Sequence, residues 1–341
     1  MSSFLAPYAA DHKYLNGEGD ARPTALKVIR DQDLEGKLGG KVFLITGGTG
    51  GIGYQTARAI HATGADVYIT GQNREKGENA VKSLTVDGKP GKVVFLEMYL
   101  DSLENIRQVA SEFLELSGGK LNVLICNAGV RGYPKDQTKD GFEQHFGINH
   151  LGHFALFQAV KDALISSSTP SYNSRVVCLS AQGHRQSKIR FGDYFFDNNP
   201  EEYQPLLAYA QSKTANIYMA LEVDRRFSAQ GVRGLAAHPG IILGTDLNRK
   251  TPADQMAALA QNPAIQANLK NSKQGAATTV WAATAREWEG KGGKFLEDVS
   301  ESQPFDVNSP PLSPGYAEHV YDAEAASRLW DESVKMIQTA A

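Results

Sequence analysis

A tyrosine and a lysine four residues apart, Tyr209 and Lys213, are the residues of this sequence best suited to acid–base chemistry. Side chains four positions apart on a helix project from the same face, so the two groups lie close together. A nearby cation favours the phenolate, and we therefore expect Lys213 to lower the pKa of Tyr209 from about 10 towards neutral pH. A tyrosine with such a pKa can exchange a proton with a carbonyl or alcohol oxygen.

A glycine-rich segment near the start of the chain indicates a dinucleotide site. It reads Thr-Gly-Gly-Thr-Gly-Gly-Ile-Gly over residues 46–53 and follows a short apolar segment. Glycines permit a tight turn and let backbone amides approach a pyrophosphate, and the next helix presents its amino terminus to the anion. A glycine turn without a ligand is the alternative. The residues expected to contact the cofactor here are Gly47, Thr49, Gly51, Ile52 and Gly53.

The residues after the second predicted strand bear on the choice between NAD and NADP. A carboxylate at this edge binds the ribose 2'-hydroxyl of NAD, whereas an arginine accommodates the 2'-phosphate of NADP. The sequence Thr-Gly-Gln-Asn-Arg at residues 70–74 contains no acid, and its one cation is Arg74. We therefore expect NADP rather than NAD. A solvated Arg74 in the first turn of a helix would leave the choice open.

Strand-like and helical segments alternate along most of the chain. Such alternation predicts parallel βαβ units, and hence an α/β fold with one doubly wound, Rossmann-type sheet of seven parallel strands and helices on both faces. The predicted strands are residues 41–46, 65–70, 92–97, 121–126, 174–180, 232–238 and 293–297. The predicted helices are residues 51–63, 74–84, 102–117, 141–167, 203–229 and 273–285.

The alternation also predicts how the chain is organised. We expect residues 1–40 to form a leader on the surface, and residues 41–300 to form one dinucleotide-binding and catalytic domain. An insertion at about residues 244–271 follows the sixth strand, where it can cover a pocket as a lid. Residues 301–341 form a tail with a predicted helix at about residues 323–338.

The composition argues against several kinds of binding partner for this chain. It is 41% apolar and 21% charged, with a net charge of -3 and no basic block, which argues against nucleic acid and anionic membranes as partners. No apolar stretch reaches about 18 residues, and the amino-terminal part lacks a signal-peptide core, so we predict a cytoplasmic protein without a transmembrane segment. Cys126 and Cys178 fall in strand-like segments and are expected to be reduced thiols. We expect no metal site.

With these features placed, the chain resembles the short-chain dehydrogenase/reductase family over about residues 38–300, and within it the retinol dehydrogenase and WW-domain oxidoreductase branch. Five ordered motifs carry the resemblance. They are Thr-Gly-x-x-x-Gly-x-Gly at 46–53, Cys-Asn-Ala-Gly at 126–129, Asn-His-Leu-Gly-His-Phe at 149–154, Tyr-x-x-x-Lys at 209–213 and His-Pro-Gly at 238–240. The resemblance implies a Rossmann-type fold and NAD(P)-dependent oxidoreduction.

The resemblance also implies how single residues serve the cofactor and the proton. Lys213 would hold the nicotinamide ribose, and Asn149 would anchor a water that links Lys213 to solvent. The helical spacing supports both roles, because Asn149 and Lys213 lie on inward-facing stripes where an unpaired polar group is costly. The segments after the fourth and sixth strands would border the adenosine and the nicotinamide. Their residues are Asn127, Ala128, Gly129, Pro239, Gly240, Ile242 and Thr245.

The end of the fifth strand departs from the family pattern, which has two adjacent hydroxyl residues there. The second of them bonds the substrate oxygen in the family, but here Ser180 is followed by Ala181. Because side chains alternate along a strand, the offset points Ser180 to the opposite face unless the strand end bulges. Ser180 is therefore a provisional polariser, and Gln182, His184 or a hydroxyl of the substrate are alternatives.

We therefore predict an NAD(P)-dependent oxidoreductase in which Tyr209 exchanges the proton, assisted by Lys213, Asn149 and Ser180. Apolar residues of the insertion favour a lipophilic or aromatic ketone, aldehyde or alcohol as the small-molecule substrate. Because Ala181 removes a hydroxyl, two alternatives stay open: a dinucleotide-binding protein with weak or no redox turnover, and a non-redox isomerase or cyclase. A homo-oligomer is also open, since helices such as those at 102–117 and 203–229 pair between subunits in many similar proteins.

Overall fold

Short apolar segments form one central sheet in the computed structural model, which describes residues 4–340. Most strand residues are buried on both faces, as expected for parallel strands covered by helices. Val42 and Leu44 face one buried cluster, and Phe43 and Ile45 face the other. The strands are β1 (Val42–Ile45), β2 (Asp66–Gly71), β3 (Val93–Glu97), β4 (Val123–Cys126), β5 (Ser174–Leu179), β6 (Val232–His238), β7 (Lys294–Glu297) and β8 (Ser300–Glu301).

The sheet has the order β3-β2-β1-β4-β5-β6-β7-β8. The first seven strands are parallel, which confirms the predicted doubly wound architecture, and each strand lies within two residues of its predicted bounds. The prediction of seven strands was one short, because β8 pairs antiparallel with β7. A two-residue turn at Asp298 and Val299 joins them, with φ of 53° and 54°. Asp298 is a residue type that tolerates positive φ, but valine disfavours it, so the pair lacks the usual Asp-Gly signal of such a turn.

Helices cover both faces of the sheet. The helices are α1 (Ala25–Asp31), α2 (Gly51–His61), α3 (Arg74–Thr85), α4 (Leu103–Leu116), α5 (Gln144–Phe146), α6 (Gly152–Ser167), α7 (Pro205–Phe227), α8 (Ala253–Gln261), α9 (Pro263–Asn268), α10 (Ser272–Gly275), α11 (Ala277–Thr284) and α12 (Ala323–Thr339). The cluster around Val42 is closed by α4, α6, α7 and α12, and the cluster around Phe43 by α1, α2 and α11. No helix within residues 4–340 is long and apolar enough to cross a membrane.

The leader enters the core more deeply than the surface position predicted for it. Val28 and Ile29 on α1 are fully buried against α2 and α11. The buried guanidinium of Arg22 donates to the carbonyl oxygens of Asn268 and Leu269 at 3.0 and 2.5 Å. The leader therefore fastens the end of the insertion to the body of the protein. The division into leader, domain, lid and tail itself stays a prediction.

The predicted helix at residues 141–167 begins at Gln144 and runs to Ser167, but it contains a π-helical segment that the sequence pattern did not predict. Between α5 and α6 the chain makes a π-helical segment at Gly147–Leu151, in which the N–H of Gly152 donates to the carbonyl of Gly147. Neighbouring groups leave no room for larger residues: a Cβ on Gly152 would lie 2.5 Å from the carbonyl oxygen of Leu100. Single π turns are frequent at functional sites, and this one contains Asn149.

The tail ends in the predicted helix, α12, which packs on α7. The indole of Trp330 meets the edges of Phe154 and Phe157, with ring centroids 4.8 and 5.8 Å apart. The guanidinium of Arg226 lies 5.0 Å from the Trp330 ring. The tail therefore covers part of the helix that was expected to pair between subunits, and the oligomeric state stays a prediction.

Truncation of Trp330 is expected to weaken the fold. Trp330 is buried, and Trp330→Ala should lower the free energy of unfolding by about 3–5 kcal/mol through lost contacts and a residual cavity. Urea unfolding followed by circular dichroism measures the change. Val307, which is 83% exposed, is the control, and Val307→Ala should change the stability by less than about 0.5 kcal/mol. Equal effects of the two substitutions would contradict the role given to α12.

Candidate active site

A cavity of about 830 Å³ lies along the carboxyl ends of β1, β2, β4, β5 and β6. The strand order reverses between β1 and β4, and ligands of open α/β sheets bind at such a point. Most of the predicted site residues line this cavity, whereas Arg74, Asn149, Gly240 and Ile242 do not. Those that line it are Gly47, Thr49, Gly51, Ile52, Gly53, Asn127, Ala128, Gly129, Ser180, Tyr209, Lys213, Pro239 and Thr245.

The glycine-rich turn between β1 and α2 has the shape that a pyrophosphate requires. Gly47 and Gly51 have φ of 66° and 53°, where other residues are strained. A Cβ on Gly53 would lie 2.2 Å from the carbonyl oxygen of Gly47, so the turn packs too closely for any other residue. α2 begins at Gly51, and its unpaired N–H groups favour an anion. The turn therefore fits a dinucleotide.

The residues after β4 hold this turn in place. The side-chain amide of Asn127 donates to the carbonyl oxygens of Thr46 and Gly47 at 2.7 and 3.3 Å. The Thr46 hydroxyl accepts the backbone N–H of Asn127 and of Ala128 at 2.9 and 3.0 Å. Asn127 and Ala128 thus shape the cavity wall through hydrogen bonds to the turn.

Two cations at the start of α3 differ in their position relative to the cavity. Arg74 is 70% exposed, and its Nη2 lies 3.0 Å from the carboxylate of Glu97. Lys76 lines the cavity, together with Asn73, and its Nζ lies 3.0 Å from the carboxylate of Asp246. Sequence reasoning missed Lys76, although its place in the first turn of α3 was a usable signal. The role of Arg74 stays a prediction.

Tyr209 and Lys213 are both buried on α7 and both line the cavity. The Nζ of Lys213 donates to the carbonyl of Leu179 at 3.1 Å and lies 5.4 Å from the centre of the Tyr209 ring. Burial lowers the pKa of Lys213 to about 8, and the nearby thiol of Cys178 opposes that shift. The helix therefore brings the pair together as the spacing predicted.

The expected direction of the Tyr209 shift was wrong. Burial raises the pKa of Tyr209 to about 12, and the cation that opposes this rise is Arg131. The guanidinium carbon of Arg131 lies 5.9 Å from the centre of the Tyr209 ring. The ammonium of Lys213 is instead turned towards Leu179, and desolvation outweighs its attraction for a phenolate. At neutral pH Tyr209 is thus a protonated phenol.

Asn149 is fully buried, and its side chain makes three hydrogen bonds to protein groups near the cavity. Its Oδ1 accepts the N–H of Val130 at 2.8 Å, and its Nδ2 donates to the carbonyl of Val130 and the hydroxyl of Ser212 at 3.0 and 2.9 Å. Ser212 precedes Lys213, so Asn149 clamps the segment after β4 to α7. A Cβ on Gly129 would lie 3.2 Å from the Oδ1 of Asn149, so this segment approaches Asn149 closely. The water relay through Asn149 stays a prediction.

The hydroxyl of Ser180 is bound to the backbone of α7. It donates to the carbonyl of Lys213 at 2.8 Å, and the N–H of Ser180 continues the pairing with β6 by donating to Ala237. The side-chain amide of Gln182 donates to Ser313. His184 bonds the carbonyl of Ala181 through Nδ1, and its Nε2 accepts the N–H of Ala317 at 3.2 Å. These polar groups therefore tie the end of β5 to α7 and to the tail, and the polarising role of Ser180 stays a prediction.

Some of the residues after β6 line the cavity, and others pack outside it. Pro239 and Thr245 line the cavity, and the Thr245 methyl would lie 3.2 Å from a Cβ on Gly51. Gly240, with φ of 96°, packs against the Lys270 side chain. Ile242 packs against Gly275 and Ile52 behind the glycine-rich turn. The insertion thus approaches that turn through Thr245.

Residues 41–194 match the model of the short chain dehydrogenase family. The short-chain dehydrogenase/reductase prx1 of Penicillium roqueforti is 42% identical over 322 residues, which are 94% of this chain and 92% of that protein. This chain belongs to the short-chain dehydrogenase/reductase family. The WW domain-containing oxidoreductase of Gallus gallus is 34% identical over 290 residues, or 84% of this chain and 67% of that protein, which confirms the predicted branch.

The solved structures agree with this family membership. An uncharacterised protein from Mycobacterium paratuberculosis has a TM-score of 0.66 and 30% identity to this chain, covering 88% of this chain and 94% of that one. The protein is therefore an NAD(P)-dependent oxidoreductase of the short-chain dehydrogenase/reductase family, as the motifs predicted.

Replacement of Lys213 by methionine is expected to stabilise the fold at neutral pH. The pKa of Lys213 falls from 10.5 to about 8 on burial, so the buried ammonium costs stability below pH 8. That cost disappears as the pH rises from about 8 to about 10.5, where the unfolded chain also loses the proton. The Leu179 carbonyl keeps a donor in the amide of Asn216, so no acceptor is orphaned.

Lys213→Met should therefore unfold at higher urea than the wild type at pH 7, with a gain of about 2–3 kcal/mol. The gain should shrink steadily between pH 8 and 10.5. Urea titrations of both proteins across this range measure the difference, in which the other titrating groups cancel. A gain that does not change with pH would show that Lys213 is not perturbed as described.

Proposed function

We propose that this protein reduces lipophilic or aromatic ketones and aldehydes, or oxidises the corresponding alcohols, with NADP as its cofactor. The observation that supports this proposal is that Tyr209 and Lys213 line the same cavity as the glycine-rich turn. The bound dihydronicotinamide supplies the hydride in such a reaction. The protein supplies the proton, the orientation and an environment shielded from water.

Tyr209 is the proton donor in this proposal. With a pKa of about 12 its phenol is protonated at neutral pH, which suits donation to a carbonyl oxygen. Lys213, with a pKa of about 8, changes charge close to neutral pH and can return a proton to the site. Asn149 acts as a positioning residue, since it holds the backbone beside Lys213 through Ser212.

The cavity end at α3 supports NADP over NAD. Gln72, Asn73 and Lys76 line this end, and the acid paired with Lys76, Asp246, comes from the insertion and not from the end of β2, where an acid would select NAD. Lys76 is the residue we propose for contact with the 2'-phosphate. Arg74, which forms an ion pair with Glu97, is a second candidate for this contact.

The apolar lining of the cavity supports a lipophilic or aromatic substrate. Aliphatic side chains line the cavity that also contains the Tyr209 phenol, and burial of a substrate against them is favourable by about 25 cal/mol per Å². These side chains are Val130, Ile148, Leu179 and Leu247. The cytoplasmic location and a homo-oligomeric state are parts of the proposal that rest on the sequence alone.

Removal of the Tyr209 hydroxyl is expected to abolish most of the activity. Tyr209→Phe should lower the rate of NADPH oxidation by about 10²–10⁴-fold, because no other group would deliver the proton directly. Stopped-flow measurement with a panel of hydrophobic ketones and aldehydes checks the rate. Tyr14, which is 76% exposed on the leader, provides the matched control Tyr14→Phe. Equal rates for wild type and Tyr209→Phe would remove Tyr209 from the mechanism.

A second candidate function is dinucleotide binding with little or no redox turnover, or a non-redox isomerisation or cyclisation in the same cavity. The observation that favours it is the lack of a free side-chain hydroxyl at the end of β5. Ala181 has no hydroxyl, and the hydroxyl of Ser180 donates to the carbonyl of Lys213. A missing oxyanion donor typically lowers a rate by about 10²–10³-fold.

Restoring the hydroxyl distinguishes the two candidates. If another group already polarises the substrate oxygen, Ala181→Ser should change the rate of NADPH oxidation by less than about threefold, and this is the result we expect. A gain of about 10²–10³-fold would instead indicate a weakened reductase site. NADPH affinity, measured by fluorescence for both proteins, ensures that the comparison concerns the chemical step.

A further inference from the structure

Three cations on two chain segments near the cavity that contains Tyr209 have no carboxylate within 4 Å among residues 4–340. They are Arg131, which follows β4, and Arg249 and Lys250 of the insertion. Like charges gathered without a counter-ion repel one another and attract an anionic ligand. The reaction assigned to Tyr209 does not by itself require them.

Arg131 is held in place by a neutral partner. Its Nη1 donates to the Oδ1 of Asn248 at 2.8 Å. Asn248 is buried, and its Nδ2 donates to the carbonyls of Ile242 and Leu243 at 3.2 and 3.0 Å, which fixes Oδ1 towards Arg131. The guanidinium is thus oriented beside Tyr209, while its other N–H groups meet no acceptor within the described part of the chain.

Arg249 and Lys250 are gathered around a second aromatic ring. The Nε of Arg249 donates to the hydroxyl of Tyr133 at 2.8 Å, and the Nζ of Lys250 lies 5.6 Å from the centre of the Tyr133 ring. The imidazole of His145 stands between the two tyrosines, 6.3 Å from the Tyr133 ring and 6.5 Å from the Tyr209 ring. Arg249 also lines the cavity that contains Tyr209.

Two acids near these cations already have other partners. Asp246, one turn before Arg249, lies 3.0 Å from Lys76. Glu143 is buried, with Oε1 2.7 Å from Nδ1 of His145, and it also accepts two backbone N–H groups. Neither of these acids forms an ion pair with Arg131, Arg249 or Lys250.

We propose that Arg131, Arg249 and Lys250 form a carboxylate-binding subsite, so that the substrate is a carbonyl compound with an apolar body and a carboxylate. A guanidinium offers paired N–H groups that match the two oxygens of a carboxylate. The proposal rests on the reductase function given above. In the reaction a hydride reaches the carbonyl carbon and Tyr209 protonates its oxygen, which gives the hydroxy acid and the oxidised dinucleotide.

Binding of keto acids and of their methyl esters tests the subsite directly. The probes are 4-acetylbenzoate and 7-oxooctanoate, each compared with its methyl ester by calorimetry on the full chain saturated with NADP⁺. At least one acid should bind tenfold or more tightly than its ester. Arg131→Met should weaken binding of that acid tenfold or more, as expected for a lost charge-assisted pair, and leave the ester within twofold.

Three further variants make the comparison specific. Arg249→Met should also weaken the acid and spare the ester. Arg328→Met removes a positive charge from an arginine that is exposed on α12 and should change neither affinity. Circular dichroism and urea unfolding show whether each variant is folded, and Arg131→Lys, which keeps the charge, should lose less affinity than Arg131→Met.

Several results would overturn the subsite. These are equal affinity for acid and ester, no binding of either acid, or an equal loss of both ligands in Arg131→Met. A tenfold loss of NADP⁺ affinity in Arg131→Met, with the preference for acids unchanged, would assign the cations to the cofactor phosphates instead. NADPH oxidation separates the two proposals: a preference for acids in binding without turnover refutes the reductase alone, and equal turnover of acid and ester refutes the subsite alone.

Discussion

Burial of a lysine and a tyrosine at the carboxyl end of β5 is the constraint on which the rest of the site depends. The ammonium of Lys213 is held by the carbonyl of Leu179, which also accepts the amide of Asn216. Asn149 fixes the neighbouring backbone through Ser212. A buried ammonium lowers the free energy of unfolding. Buried groups with strongly shifted pKa values are nevertheless common at functional sites, where a pKa near neutrality is needed.

The segments outside the βα alternation are part of the same arrangement. Arg22 of the leader binds the backbone at the end of the insertion, and Thr245 brings the insertion to the glycine-rich turn. In the tail, the carbonyl of Ser313 accepts a hydrogen bond from the side chain of Gln182, and the N–H of Ala317 donates to His184. The tail therefore holds the loop after β5 beside Tyr209. The start of the insertion therefore lines the cavity, and the leader and the tail hold the end of the insertion and the loop after β5 in place.

The sequence was sufficient where the signal was local. The apolar strands, the glycine-rich turn and the four-residue spacing of Tyr209 and Lys213 each reflect backbone geometry over a few residues, and the structure places them together. Desolvation depends on everything packed around a group, so the direction of the Tyr209 shift was not accessible from its helix. Arg131 lies 78 positions before Tyr209 in the chain, and no spacing rule connects them. The π segment at Gly147–Leu151 and the two-residue strand β8 were too short or irregular to leave a pattern.

A crystal structure of the protein with NADP⁺ bound would show whether Tyr209 and Lys213 act on the cofactor. We expect the pyrophosphate on the turn at residues 46–53 and the nicotinamide beside Tyr209 and Lys213, with the phenol oxygen facing the reactive edge of the ring. A nicotinamide bound elsewhere in the cavity, or a Tyr209 hydroxyl that points away from it, would rule out the role given to Tyr209.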